Sequence, residues 1–268
     1  MAPSNPTVRQ HGQTIEANGV NIYYESHGEG EPLVLLHGGS LTGDMWQPYL
    51  AGFADHYRVI TPDMPGHGRS SNPTGTMSYQ HLADDIVAFI HALDLRKPLI
   101  AGFSDGGQVA LEIGMRYPTL PQSIALGGVW FKYSEVYRAW VRDALGDEAS
   151  PVVDTARLVL HHPDWVAWLE QLYGRDGWKP LLVQLKPMWT TPLNYTAKDF
   201  AEVVAPTLVL IGDRDDLVPV EEATEMYRQL GNAELAVVPN ADHGAFFSEK
   251  VAIFQSLILD FLMRQSPR

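Results

Sequence analysis

Six short apolar runs, bounded by glycine, proline or polar turn residues, constrain this chain more than any other feature. They are Leu33–Leu36, Tyr57–Thr61, Leu99–Phe103, Ser123–Val129, Thr207–Ile211 and Leu235–Val238, and Val20–His27 reads as one more strand. Strands this short and this apolar on both sides need cover on both faces, the condition of a parallel sheet between helices. Helical patterns alternate with them. Tyr79–Leu93 sets Leu82, Ile86, Phe89, Ile90 and Leu93 on one stripe behind Ser78, a suitable N-cap. Gly106–Tyr117 is apolar on nearly every side and stops before Pro118, while Val251–Met263 repeats the single stripe. The alternation predicts a doubly wound α/β fold.

One stretch breaks the rhythm. From about residue 131 to 197 no strand pattern occurs, and six of the seven tryptophans fall between Trp130 and Trp189. The expected organisation is a core domain of residues 1–130 and 198–268, interrupted by a helical cap at 131–197 over the carboxyl edge of the sheet. The tryptophans either fill the cap's own core or face a ligand. Trp130, Trp189 and Phe246 are the candidates for substrate contact.

Composition narrows the function. A chain of 268 residues can bury about three quarters of its unfolded surface without staples. Its formal charge of −13, with no basic block to offset it, repels phosphate backbones and argues against nucleic-acid binding. The absence of cysteine excludes disulfides, thiolate nucleophiles and cysteine-ligated metals. Met1–Gln13 lacks the apolar core of a secretory signal, and no run of 18 apolar residues occurs, so a cytoplasmic protein without membrane attachment is expected.

The chemistry concentrates at Gly102-Phe103-Ser104-Asp105-Gly106-Gly107, a G-x-S-x-G pattern between a buried strand and a buried helix. A serine in so sharp a turn is strained, and its neighbours at −2 and +2 must be tiny. A serine hydroxyl is a weak nucleophile near neutrality and needs a base, which in turn needs an orienting carboxylate. His243 follows the last strand candidate, and Gly212-Asp213-Arg214-Asp215-Asp216 follows the one before, so the order is Ser, Asp, His. On position alone Asp213, Asp215 and Asp216 compete for the acid. His161-His162 with Asp164 is a conceivable metal pair, but adjacent histidines without further ligand spacing read as surface residues.

In these residues, together with His37-Gly38-Gly39 and Asp63-Met64-Pro65-Gly66-His67-Gly68-Arg69-Ser70, the chain resembles the α/β-hydrolase family over nearly its whole length outside the insertion. The resemblance implies a mostly parallel eight-stranded sheet with the cap after the sixth strand. It also implies Ser104 as nucleophile, His243 as base and Asp215 as acid, with an oxyanion hole from the N–H groups of Gly39 and Asp105. His37 and the Asp63–Ser70 loop would be scaffold, and neither metal nor organic cofactor is expected.

The resemblance also bears on substrate. A serine nucleophile departs from haloalkane dehalogenases and epoxide hydrolases, and Gly244-Ala245 after His243 departs from the carbon–carbon bond hydrolases of the family. The expectation is hydrolysis of small to medium acyl or aryl esters, with water and a small-molecule ester or lactone as the only partners. Lactonase, amino-acid-ester hydrolase and cofactor-free perhydrolase or haloperoxidase-like activities use the same residues, and a ligand receptor could retain them. Ser104-Asp105-Gly106-Gly107 is similar to the valacyclovir hydrolase type, whose carboxylate pairs with an α-amino group; alternatively Asp105 turns into the scaffold and supplies only its N–H. Oligomeric state is not readable from the sequence.

Overall fold

The computed structural model of the protein describes residues 12–193 and 195–266. Eight strands form one sheet: β1 (Gln13–Ala17), β2 (Val20–His27), β3 (Pro32–Leu36), β4 (Arg58–Pro62), β5 (Leu99–Phe103), β6 (Ser123–Gly127), β7 (Thr207–Gly212) and β8 (Ala233–Val238). Their order is β1-β2-β4-β3-β5-β6-β7-β8. β2 runs antiparallel to both its neighbours, and every other pairing is parallel.

Both faces of the sheet are apolar, and the two-residue period of a strand deals side chains to each in turn. Val34 and Leu36 of β3 join one buried cluster, while Leu33 and Leu35 join the other; Ile100 and Leu99 of β5 divide the same way. Helices α2 (Tyr79–Ala92), α3 (Asp105–Arg116) and α9 (Val220–Gln229) send side chains to the first cluster. Helices α1 (Gln47–Ala54) and α10 (Val251–Gln265) serve the second. Each fully buried Val, Leu, Ile or Phe contributes about 1.5–3 kcal/mol relative to exposure, which makes this double packing the main stabilising term. Ser78 does cap α2, its side chain accepting from the His81 N–H.

Among the described residues the connection from β6 to β7 holds five helices: α4 (Glu135–Leu145), α5 (Thr155–His161), α6 (Pro163–Tyr173), α7 (Trp178–Thr190) and α8 (Ala197–Ala201). Their apolar side chains are continuous with the first sheet cluster through Trp130, Tyr137, Val141, Leu185 and Trp189. The segment therefore shares the hydrophobic core of the sheet instead of closing one of its own. Among the described residues no helix is long and apolar enough to cross a membrane.

Candidate active site

Ser104 is the single residue between β5 and α3, and it takes φ 53° and ψ −121°. That conformation costs a non-glycine residue on the order of 1–3 kcal/mol, so its surroundings must hold it. They do: the Ser104 N–H donates to the Gly127 carbonyl at 2.8 Å, and the Ser104 carbonyl accepts from the Gln108 N–H at 2.9 Å. A Cβ at Gly102 would collide with the Gly106 carbonyl, and one at Gly106 with the Leu36 carbonyl. The two flanking glycines are thus dictated by backbone crowding on both sides of the turn.

The Ser104 hydroxyl lies 3.1 Å from His243 Nε2, and His243 Nδ1 lies 2.8 Å from Asp215 Oδ2. The other Asp215 oxygen accepts from the N–H groups of Leu217 at 3.0 Å and Val218 at 2.8 Å, which fixes the carboxylate. Asp213 accepts from the Ala241 N–H at 3.2 Å, and both it and Asp216 are exposed. The His243 ring leans on Phe103, with centroids 4.7 Å apart. Gly128 leaves room for it: φ is +59° there, and a Cβ would sit 2.9 Å from His243 Cε1. Burial opposes the imidazolium, but the Asp215 carboxylate outweighs it, so the His243 pKa lies above its usual 6.5.

Gly39 follows β3 and faces the turn. Among the described residues neither its N–H nor that of Asp105 has a protein acceptor. The Asp105 carboxylate folds over Gly39, whose missing Cβ would strike Asp105 Oδ2 and lie 2.6 Å from Trp189 Cζ2. Asp105 is 1% exposed and accepts two neutral donors, the Tyr79 hydroxyl at 2.8 Å and Trp189 Nε1 at 2.7 Å. Burial raises its carboxyl to about 6 despite those two hydrogen bonds and the nearby His243. Tyr79, 26 positions before Asp105, is a site residue that the sequence did not single out.

These groups open on a cavity of about 130 Å³. Trp130 and Trp189 line it, together with Trp140, Trp165 and Trp168, which the sequence did not separate from the insertion's other tryptophans, and Tyr137, which it did not single out. Phe246 does not. It is buried beneath the turn, stacked on Phe103 at 4.4 Å and on Tyr49 at 5.4 Å, and its neighbour Phe247 lines the cavity instead. Both belong to the 3-10 helix His243–Phe247, where consecutive side chains diverge by about a third of a turn. A larger hollow of about 470 Å³ between α2, α3 and α7 contains neither Ser104 nor His243.

His37, His67, His161 and His162 are held by scaffold contacts away from Ser104. His37 Nε2 accepts from the Met64 N–H at 2.8 Å and its Nδ1 meets the Gly38 carbonyl at 2.8 Å, tying the Gly39 loop to the loop after β4. Burial drives His67 down to about 3, so it is neutral in use. His161 and His162 both turn to Asp143, at 2.7 and 3.0 Å, and among the described residues no group of three or more potential metal ligands forms.

A strained serine on a strand–helix turn, joined through histidine to aspartate on a mostly parallel sheet, defines an α/β-hydrolase architecture. Residues 33–254 match the alpha/beta hydrolase family, and the chain belongs to it. It is 28% identical over 244 residues to an (E)-2-((N-methylformamido)methylene)succinate hydrolase of Acinetobacter baylyi, covering 85% of this chain and 89% of that protein. It is 28% identical over 250 residues to a pimeloyl-[acyl-carrier protein] methyl ester esterase of Nitrosospira multiformis, covering 85% and 94%. A thermophilic esterase from Thermogutta terrifontis, 22% identical, superposes with a TM-score of 0.76 over 96% of this chain and 100% of the other.

Proposed function

We propose that this hydrolase cleaves carboxylic esters of small to medium acyl or aryl acids through an acyl-enzyme on Ser104. The observation that carries the reading is the unbroken hydrogen-bonded path from Asp215 through His243 to the Ser104 hydroxyl. His243 takes the hydroxyl proton as Oγ attacks the carbonyl carbon, and the oxyanion rests on the N–H groups of Gly39 and Asp105. His243 then returns the proton to the leaving alkoxide. It next takes a proton from water, whose attack releases the acid and restores Ser104. Residues 131–197 act as the cap, whose aromatic side chains form the acyl pocket. A lactone is an internal ester and would open by the same steps. Esterase relatives support the reaction class, and the small aromatic cavity supports a compact substrate.

A p-nitrophenyl ester series from acetate to decanoate tests this. We expect the largest kcat/KM at the short end, because the cavity of about 130 Å³ is too small for a long chain. Folded protein that turns over none of these esters, nor any lactone, would remove the reading.

The base adds a pH signature. Only neutral His243 can accept the serine proton, and its raised pKa keeps it protonated to higher pH than a free imidazole. Activity is therefore lost on acidification sooner than 6.5 would predict: the acid limb of kcat/KM should have its midpoint above 6.5. A midpoint below that value contradicts the Asp215–His243 coupling.

A further inference from the structure

Resting on that esterase reading, we infer that the cavity selects esters carrying a small quaternary ammonium group, held by tryptophan faces and by the charge of Asp105. Two independent observations converge. The first is the wall. Trp140, Trp165 and Trp189 meet at one corner of the cavity with mutual centroid distances of 5.8, 6.0 and 6.3 Å, and none of the three pairs is a parallel stack. Trp130 and Trp168 line the same cavity. Five indoles around so small a space exceed what a purely apolar acyl group needs. Indole is the aromatic ring that most favours a cation on its face.

The second is an unbalanced charge. The Asp105 carboxylate is buried at the cavity wall, and among the described residues no Lys or Arg lines the cavity with it. Buried charges are ordinarily paired. Both partners of Asp105 are neutral donors, and among the described residues the one titratable cation near it is His243 when protonated. The carboxylate also overlies Gly39, beside the place where negative charge develops in the reaction. An unpaired anion there opposes oxyanion formation unless the substrate brings a positive charge of its own. A bound cation would remove that conflict.

The geometry further selects which cation. Trp189 Nε1 donates to Asp105, so the carboxylate pushes electron density into the indole and strengthens its attraction for a cation at the ring face. A primary ammonium demands several acceptors, yet both Asp105 oxygens already hold a donor and the rest of the wall is mostly carbon. An alkylated ammonium demands none. It is recognised by charge and contact alone, which is what tryptophan faces beside a hydrogen-bonded carboxylate supply.

The test compares isosteres. Acetylcholine is set against dimethylbutyl acetate, its uncharged tert-butyl counterpart, which places the cation on the alcohol side. The p-nitrophenyl ester of a trimethylammonio alkanoic acid is set against that of the matching tert-butyl acid, which places it on the acyl side. In one arm, kcat/KM should favour the cation by about tenfold or more, the scale of desolvated contacts with indole faces. Asp105→Asn and, separately, Trp140→Leu should bring that ratio towards unity, with Trp140→Phe keeping more of it. In parallel, tetramethylammonium chloride should quench tryptophan fluorescence saturably in wild type and in Ser104→Ala, against sodium chloride of equal ionic strength, and bind more tightly than methylammonium.

If the neutral isosteres are hydrolysed and the cations gain nothing in either arm, the inference falls and the esterase stands. If no ester is hydrolysed but tetramethylammonium binds as stated, the cation site stands and the esterase falls. Equal loss on charged and neutral esters in Asp105→Asn would assign the carboxylate to supporting His243 and overturn the cation role. Methylammonium binding as tightly as tetramethylammonium would overturn the part assigned to the tryptophan faces.

Discussion

Ser104→Ala should abolish ester hydrolysis, with a fall in kcat on the order of 10^4-fold or more, while the fold and ligand binding persist. The hydroxyl is the only atom of the turn that can form the acyl-enzyme, so no neighbouring group replaces it. Nor should the fold suffer, because the bonds that hold residue 104 in its strained conformation come from its N–H and carbonyl, not its side chain. Alanine keeps both, and it accepts positive φ about as poorly as serine does. The measurement is initial rate on the best p-nitrophenyl ester, paired with circular dichroism and thermal unfolding. A loss of activity with a matching loss of structure would leave the assignment to be settled by the acyl-enzyme itself: mass spectrometry of rapidly quenched wild type should show one acyl adduct, on the peptide containing Ser104. Retained activity in folded alanine variant would end the serine mechanism.

The elbow was legible in the sequence because its constraints are local. Gly102 and Gly106 sit where two backbones crowd, and the strained turn must fall between an apolar strand and an apolar helix. The α/β class follows from the same local alternation of apolar strands and helices. Pairing across the sheet was not legible in the same way. Gln13–Ala17 is polar and half-exposed, and it becomes β1 only because Val20–His27 offers it an antiparallel edge. Helix α1 likewise lies in a stretch too short and mixed to show a stripe.

The pocket was the least legible part. Trp178 and Trp189 both stand on α7, eleven positions apart, roughly three turns. The first is buried with its Nε1 donating to the Arg175 carbonyl, and the second reaches Asp105. Nothing in their immediate neighbours distinguishes them; the distinction comes from what the rest of the fold sets against each. The same holds for Phe246 and Phe247, where one step along a tight helix separates a core residue from a pocket residue. Asp105 offered two fates at sequence level, substrate partner or scaffold. The structure gives its carboxylate scaffold partners, Tyr79 and Trp189, and still leaves it on the cavity wall.

The acid at the far end of the path yields the second large effect. Asp215→Asn should lower kcat roughly 10^4-fold with little change in KM, since the same substitution elsewhere in this type of triad acts through the histidine tautomer. The carboxylate can only accept, so it requires the proton of His243 to sit on Nδ1 and leaves Nε2 free to take the proton of Ser104. An asparagine retains one oxygen for the N–H groups of Leu217 and Val218, and so turns its NH2 group towards Nδ1. That donor favours the tautomer with hydrogen on Nε2, which cannot act as base. Losing the carboxylate charge also lowers the His243 pKa, so whatever activity remains should have its acid limb at lower pH than wild type. Asp213→Asn provides the control: its oxygen serves the Ala241 N–H, an amide oxygen can do the same, and the rate should stay close to wild type. A greater loss in Asp213→Asn than in Asp215→Asn would transfer the acid role to Asp213. Equal and small losses in both would mean that His243 keeps its tautomer without either.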